Sequence, residues 1–393
     1  MKTTTLDKVN LQETRRISLK LSPALDWKSL RSSIALLLVI SILSYLTQGT
    51  FFTPRNLTNL SRQVAINGTL AVAMTFVILV GGIDLSIGSV VALAGIVAGY
   101  VQVNLGLSQW APGLPTLAAT LISAGSAVAI GLVCGLVNGW LITRQKITPF
   151  IITLGMMVIA RGLALILSKG AAIAPLSDHF NFLGQGYLSS GLTLALITTL
   201  GCTALLAFAV KKTRTMADRL KLLASTSLCG LALWSFQSYR GFPVPVFIFG
   251  TCALFGNLIL QKTKLGRYVF AIGGNPEAAW LAGVPIREIT FGIYAGIGML
   301  AGLCGAILSA RLNGALPTAG ELFELDAIAA VVIGGTSLTG GIGTVGGSII
   351  GAFFMGSLNN GMSLLDVPEF YQKVIKGLVI ILAVWFDRKK EDS

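Results

Sequence analysis

The chain has 393 residues, of which 54% are hydrophobic and 11% charged, and its mean hydropathy is +0.79. Soluble domains carry about 25% charged residues, so this composition excludes an ordinary soluble protein and a disordered one. The net charge of +13 is scattered between long apolar runs rather than along one face, which speaks against a nucleic-acid-binding surface. The composition therefore indicates a membrane protein.

Apolar runs long enough to cross a hydrocarbon core of about 30 Å recur along the chain. Twelve candidate spans are predicted, at 33–49, 64–80, 84–100, 114–137, 150–168, 191–210, 220–237, 244–260, 290–309, 326–338, 344–361 and 371–387. The pairs 64–80/84–100 and 326–338/344–361 are short and joined through glycines, so either pair could be broken or re-entrant. We expect an all-α polytopic protein with ten to twelve transmembrane helices.

Basic residues in short loops mark the cytoplasmic side of a membrane protein. They crowd the loop between the sixth and seventh candidates, at Lys211, Lys212, Arg214, Arg219 and Lys221. Alternating spans then place both termini and the loop 262–289 in the cytoplasm, with Arg55 and Arg62 of the outer loop 50–63 as exceptions. The predicted organisation is a basic segment at 1–30, one transmembrane domain at 31–387 and a tail at 388–393.

Two glycine clusters, at 81–88 and 334–341, share the spacing G-G-x-x-L-[S/T]-x-G. Glycine-interrupted helices at corresponding positions of two halves are typical of transporters built from internal repeats. Small residues that only allow helices to pack closely would produce the same pattern. The sequence leaves both explanations open.

Several polar side chains fall within the apolar sequence. Asp84 is a functional candidate because an ionisable group at membrane depth is costly, yet it could equally be the N-cap of a helix at 85–100. Asn138 could cap the end of a helix, or could offer an amide to a polyol. Arg161 could bind a backbone carbonyl or Asn138, or extend its charge to the interface. Other candidate partners for a polyol are Ser86, Thr153 and Asn313.

The motifs of common enzyme classes are missing from the sequence. It has no G-x-x-x-x-G-K-[ST] phosphate loop, no H-E-x-x-H and no G-x-S-x-G. Its single histidine, His179, lies beside Asp178 in a predicted outer loop and is expected to be a solvated surface residue. We predict no catalytic residue and no metal site, which leaves a transporter driven by an ion gradient or by a partner ATPase.

The loop 262–289 contains the start and stop signals of a short helix. Asn275 is a good N-cap, Pro276 suits the first helical position, and Glu277 faces the positive end of the helix dipole. Gly283 and then Pro285 end the helix after about two turns.

The side chains of this short helix favour a docking surface. Ala278 and Ala279 make it thin, while Trp280 and Leu281 give it an apolar anchor. Such a helix needs a partner that buries its apolar face, or it lies on the lipid surface.

These residues resemble a known motif. Glu277-Ala278-Ala279 followed by Gly283 is similar to the E-A-A-x-x-x-G motif of ABC importer permeases. The segments 82–86, 326–338 and 341–347 resemble the monosaccharide branch of that family, the ribose/xylose type. The stretch 360–368 and the additional apolar pair at 191–237 are most similar to permeases of D-xylose importers.

The resemblance implies a permease homodimer in the bacterial cytoplasmic (inner) membrane, which imports a monosaccharide, with D-xylose as the first candidate. A twin-cassette ATPase would hold ATP and Mg, so no cofactor is expected in this chain, and a soluble sugar-binding protein would deliver the sugar from outside. The residues that would contact the ATPase are Asn275, Pro276, Glu277, Ala278, Ala279 and Gly283. The residues expected near the translocation path are Asp84, Ser86, Asn138, Thr336 and Ser337.

The chain departs from the family pattern at two places. Val284-Pro285 follows the glycine at once, where the family often has Leu-Pro well downstream, and Trp280 is bulky for its position. Two rival hypotheses stay open at this point. One is an ion-coupled secondary transporter of a small polar solute with Asp84 in its site, and the other is a membrane enzyme or scaffold.

Overall fold

The computed structural model describes residues 27–104, 116–210 and 216–388. Within those ranges the chain forms fifteen α-helices and one two-stranded antiparallel sheet. The helices are α1 Trp27–Leu46, α2 Pro54–Leu79, α3 Ile87–Val103, α4 Thr116–Arg144, α5 Pro149–Ser168, α6 Asp178–Gln185, α7 Ser190–Val210, α8 Met216–Gln237, α9 Val244–Lys262, α10 Lys264–Gly274, α11 Pro276–Leu281, α12 Ile286–Leu312, α13 Phe323–Ile333, α14 Val345–Leu364 and α15 Glu369–Arg388. Strand β1 (Tyr187–Leu188) pairs antiparallel with β2 (Phe242–Pro243).

The all-α prediction is confirmed, because each of the twelve apolar runs coincides with a helix. Five helices among the described residues are long and apolar enough to cross a membrane: Pro54–Leu79, Leu117–Arg144, Pro149–Ser168, Val244–Lys262 and Ile286–Leu312. Three predictions lie mostly outside the described residues, namely the N-terminal segment, the C-terminal tail and the basic residues at 211–215.

Helix α2 begins ten residues before the predicted start at 64. Thr53 caps it by accepting a hydrogen bond from the backbone N–H of Asn56, and Pro54 occupies the first turn. The hydropathy pattern missed these ten helical residues because residues 54–63 are largely polar. Arg55 and Arg62 therefore lie on a helix, not in a loop.

Glycines on α4 and α12 bring the two central helices into backbone contact. A Cβ atom added to Gly131 would lie 2.4 Å from the carbonyl oxygen of Gly298, and one added to Gly135 would lie 2.3 Å from that of Tyr294. Spacing of small residues by four positions allows this approach, as in many membrane helix pairs. Helix α12 thereby forms the centre of the core, with α2, α3 and α4 around it.

Helix α13 is too short to cross a membrane. Its 11 residues rise about 16 Å, roughly half of the hydrocarbon thickness. The chain before it, from Ala315 to Gly320, runs along α3, because Ala315 lies against Gly99 and Gly320 lies against Gly88. The prediction of a broken or re-entrant element at 326–361 is confirmed.

The loops gather at two ends of the helix bundle. At the end we call the strand end, Ile173 bridges to Ala315 and β1 pairs with β2. At the end we call the break end, the segments 80–86, 262–285 and 334–344 come together. The loops that meet at one end of the bundle are also the loops that the predicted alternation of spans places on one side of the membrane. Which end faces the cytoplasm stays a prediction.

Candidate functional site

Helices α2 and α13 end in the same kind of turn. In the first break (residues 80–86), Gly81 has a φ of +79° and Gly82 N–H donates to the carbonyl of Val77 at 2.9 Å. In the second break (residues 334–344), Gly335 has a φ of +89° and Thr336 N–H donates to the carbonyl of Val331 at 3.1 Å. Both are Schellman turns, which need a left-handed residue and therefore favour glycine. The left-handed residue is the first glycine of the cluster at 81–88 but the second glycine of the cluster at 334–341, so the two turns are shifted by one position relative to the shared sequence spacing.

The first break holds a buried polar cluster. Asp84 Oδ1 accepts hydrogen bonds from the N–H of Ser86 at 2.7 Å and from its hydroxyl at 2.6 Å. Asn138 Nδ2 donates to the Ser86 hydroxyl oxygen at 3.1 Å. The three side chains are at most 2% exposed. The structure thus brings three of the five predicted path residues together.

Two expectations for this cluster are wrong. Asp84 is not the N-cap of α3, because the helix begins at Ile87 and Ser86 occupies the cap position. Asp84 bonds instead to the residue two positions ahead, a local turn that lets the chain change direction before the helix starts. Asn138 is not a C-terminal cap, because α4 continues to Arg144.

The cluster retains unused hydrogen-bonding capacity. Among the described residues, Asn138 Oδ1 and the hydroxyl of Tyr294 are buried without a partner. Tyr294 lies beside the break, since a Cβ added to Gly82 would be 2.5 Å from its hydroxyl oxygen. An amide oxygen and a hydroxyl that lack partners can bind water or a polar solute.

Thr336 and Ser337, the other two predicted path residues, lie in the second break. Ser337 N–H donates to the carbonyl of Ile342 at 2.9 Å, and its hydroxyl shares a hydrogen bond of 2.8 Å with Thr339. The Thr336 hydroxyl is buried without a partner in the described part of the chain. Its side chain packs on Gly343, where an added Cβ would lie 2.4 Å from Thr336 Oγ1.

The short helix predicted in loop 262–289 is present as α11. Asn275 caps it by accepting a hydrogen bond from Ala278 N–H at 2.9 Å, and Gly283 follows with a φ of +78°. Ala279 is buried, whereas Trp280 and Leu281 are 67% and 74% exposed. The helix therefore rests on the bundle through its alanine and presents a free apolar ridge.

A second helix in the same loop, α10, was not predicted. Thr263 caps its start, and its buried positions include Val269 and Ile272. The signal was present as a threonine cap followed by apolar residues three apart, which is a helical spacing. Helix α10 ends at Gly274, directly before the cap of α11.

Three backbones meet where α10 ends. Gly341 N–H donates to the carbonyl of Leu79 at 3.0 Å. A Cβ added to Gly273 would lie 1.7 Å from the Leu79 oxygen and 2.3 Å from the Gly341 nitrogen. We call Leu79, Gly273 and Gly341 the glycine junction. It places the segment before α11 in direct contact with the end of α2 and with the second break.

A buried ion pair lies at the first turn of α13, and sequence reasoning did not single it out. Lys376 Nζ lies 3.1 Å from Asp326 Oδ2, which also accepts a hydrogen bond from Asn359 Nδ2 at 3.1 Å. The group joins α13, α14 and α15. Glu324 and Asp326 are charged residues in an otherwise apolar run. A carboxylate at membrane depth was therefore the sequence signal that could have pointed to this pair.

The remaining polar candidates take other roles. Arg161 Nη1 donates to the carbonyls of Pro317 at 2.6 Å and Ala319 at 2.9 Å, so a backbone-carbonyl partner is confirmed. Asn313 lies at the strand end, where its Oδ1 accepts from Asn181 Nδ2 at 2.7 Å, and is therefore separate from the Asp84 cluster. His179 is an exposed residue of α6, as expected.

The chain matches the family described as the branched-chain amino acid transport system / permease component over residues 56–384. It is 40% identical to the xylose transport system permease protein XylH of Escherichia coli K12 over 364 residues, 90% of each chain. It is 41% identical to the ribose import permease protein RbsC of Bacillus subtilis 168 over 358 residues, again 90% of each. RbsC of Escherichia coli K12 is 37% identical over 368 residues, 92% of this chain and 94% of the relative. No solved structure matches.

The family match and the long alignments confirm the resemblance carried by the sequence motifs. This chain belongs to the branched-chain amino acid transport system permease family and, within it, to the monosaccharide (ribose/xylose-type) branch of ABC importer permeases.

Proposed function

We propose that this chain is the membrane-spanning subunit of an ATP-driven importer of a monosaccharide, with D-xylose as the first candidate. The observation that carries the proposal is the connection from α11 to the two breaks. A capped helix with an exposed apolar ridge at one end of the bundle is continuous, through Gly274 and the glycine junction, with both interrupted helix pairs.

This connection suggests how ATP hydrolysis on a partner would move the helices that border the translocation path. The ridge of Trp280 and Leu281, with Glu277 in the first turn, would sit in a groove of the ATPase. Displacement of α11 would shift the end of α10, and the backbone contact at Gly273 would pass that shift to α2 and the second break. Tight backbone packing transmits a displacement because closely packed atoms leave little room for local adjustment.

The path itself would run past the first break. Asp84, Ser86 and Asn138 form one hydrogen-bonded group, and the Asn138 amide oxygen lacks a partner among the described residues. Carboxylate, hydroxyl and amide groups match the hydroxyls of a sugar. Rearrangement of this break between two states would open the path to one side at a time.

The other partners follow from the same proposal. A second copy of this permease, two ATPase cassettes holding ATP and Mg, and a sugar-binding protein on the far side would complete the transporter in the bacterial inner membrane. The binding protein, rather than this chain, would supply most of the affinity for sugar. The identities to the XylH and Bacillus subtilis RbsC permeases differ by one percentage point, so D-xylose rests on the resemblance of residues 360–368 and of the additional apolar pair at 191–237.

The test is uptake into vesicles that contain the permease with its ATPase. Labelled pentoses and hexoses are supplied with the loaded binding protein, with and without ATP. We expect ATP-dependent accumulation of one pentose, and none when the ATPase is omitted. Uptake by the permease alone that stops when the proton gradient is collapsed would establish the ion-coupled alternative instead.

A further inference from the structure

A cavity of about 480 Å³, with a largely apolar lining that carries a few charged groups, lies between α3, α5 and the start of α13. Four side chains supply its polar lining: Ser89, Arg161, Glu321 and Glu324. This volume falls in the range typical of small-molecule sites. None of these residues belongs to the cluster at the first break.

The charged groups in the lining make direct contact of the whole cavity with lipid unfavourable, although the exposed apolar Val158 also borders it. Arg161 is 12 positions after Pro149, the first residue of α5, so it lies about 18 Å along the helix. A guanidinium and carboxylates exposed to hydrocarbon at that depth would be very costly. We therefore expect the cavity to open to water or to another protein chain.

The cavity walls are fixed by backbone contacts. Arg161 binds the carbonyls of Pro317 and Ala319, which holds both the guanidinium and the chain before α13. Glu324, 9% exposed, is held against α3, because a Cβ added to Gly88 would lie 2.2 Å from its Oε2. In the described part of the chain, its carboxylate accepts no side-chain hydrogen bond. The carboxylate accepts a backbone hydrogen bond, and its remaining acceptor capacity lies beside the cavity.

The charges of the lining balance. Glu321 is paired with Lys373 at 3.0 Å, which leaves Arg161 and Glu324 with opposite single charges. Such a site offers strong donors and acceptors without a net charge, which suits a neutral polyhydroxylated solute. An anion or a cation would meet one repulsive group.

We propose that this cavity is a sugar-contact site on the translocation path, in which Glu324 accepts and Arg161 donates hydrogen bonds to hydroxyls of a monosaccharide. The proposal rests on the proposed function and adds a site to it. Gly88 belongs to the glycine cluster 81–88, so the wall that holds Glu324 is continuous with the first break. A conformational change in the first break would therefore alter the shape of the cavity.

The first test uses the complete transporter in proteoliposomes. Glu324→Gln keeps the size of the side chain and removes its charge, and Glu369→Gln, a glutamate at the strand end outside the cavity, is the matched control. We expect Glu324→Gln to lower maximal sugar uptake about tenfold or more, as the loss of a charge-assisted hydrogen bond does. The control should transport normally. Unchanged uptake in Glu324→Gln would overturn the proposal.

The second test separates a contact with sugar from a structural role. Ser89→Cys is placed in a chain whose five native cysteines are replaced, and the protein is treated with a membrane-impermeant thiol reagent. We expect labelling that slows when sugar-loaded binding protein and ATP are added. Ile122→Cys, on an exposed apolar face of α4, should stay unlabelled. Ser89→Cys that does not label, or labels equally with sugar, would refute the site. Failure of the proposed function itself appears separately, as no ATP-dependent uptake by the unmodified transporter.

Discussion

Gly341 donates its backbone N–H to the carbonyl of Leu79 over 3.0 Å, and Gly273 closes the contact from the side of α10. Three segments far apart in the sequence therefore meet without an intervening side chain. Because α11 starts only three residues after Gly273, we expect a displacement of that helix to act first on the end of α2 and on the second break. The predictions below begin from this junction.

Gly273→Ala should damage the junction. The added methyl group would overlap the Leu79 oxygen at 1.7 Å, and forced overpacking costs about 1–3 kcal/mol or more. We expect sugar uptake to fall sharply while the ATPase still binds. The measurements are uptake and co-purification of the ATPase.

The matched control is the neighbouring glycine. A Cβ added to Gly274 has no atom within 4 Å, so Gly274→Ala should transport sugar like the unmodified protein. Equal uptake by both variants would show that close packing at Gly273 does not matter for transport.

The docking role of α11 is tested by charge reversal. Glu277→Lys places a positive charge at the positive end of the helix and in the expected ATPase interface. We expect loss of uptake and of ATPase co-purification, with normal amounts of permease in the membrane. Glu369→Lys, in the first turn of α15 at the other end of the bundle, should keep the ATPase bound. Retained binding in Glu277→Lys would contradict the assignment.

Helix α11 could be predicted, because its signals are local. An asparagine cap, a proline at the first position and a glycine beyond the end each act within one turn of backbone. The junction could not be predicted, because it depends on the tertiary meeting of residues 79, 273 and 341. A glycine pattern shows where backbones approach closely, but it does not name the partner.

Breaking the buried ion pair between Asp326 and Lys376 by a single substitution should strongly lower the stability of the protein. Asp326→Asn leaves Lys376, whose side chain is only 19% exposed, without its counter-charge, at a cost of about 3–5 kcal/mol. We expect a lower unfolding temperature in detergent. Asp326→Asn with Lys376→Met should recover part of it.

Lys373 serves as the control for that pair. It contacts Glu321 at 3.0 Å, but both side chains are largely exposed, so solvent weakens the attraction. Lys373→Met should leave the unfolding temperature almost unchanged. An equal loss for Lys373→Met and Asp326→Asn would show that burial does not distinguish the two pairs.

Asn56 and Asn360 exchange two amide hydrogen bonds, each of 2.9 Å, between α2 and α14. Removal of either side chain leaves the other amide buried without its partner, which costs about 1–3 kcal/mol. We therefore expect Asn56→Ala and Asn360→Ala to be non-additive. A double-mutant cycle on unfolding free energy measures the coupling, and strictly additive losses would rule it out.

The polar residues show where sequence reasoning ends. Asp84, Ser86 and Asn138 were selected for polarity at membrane depth, and the fold places them in one group. A backbone carbonyl was one of three alternatives for Arg161, and only the re-entrant path of residues 315–320 shows that Pro317 and Ala319 supply it. Glu324 was not selected, although its charge in an apolar run was a signal, and its contact with Gly88 of α3 is visible only in the structure.

The most direct test of the central claim is labelled pentose uptake by vesicles containing the permease, its ATPase and the loaded binding protein, compared between the unmodified chain, Gly273→Ala and Gly274→Ala. The account predicts ATP-dependent uptake in the unmodified chain and Gly274→Ala, and its loss in Gly273→Ala with the ATPase still bound. Full uptake by Gly273→Ala, or uptake by the unmodified chain without ATP, would contradict it.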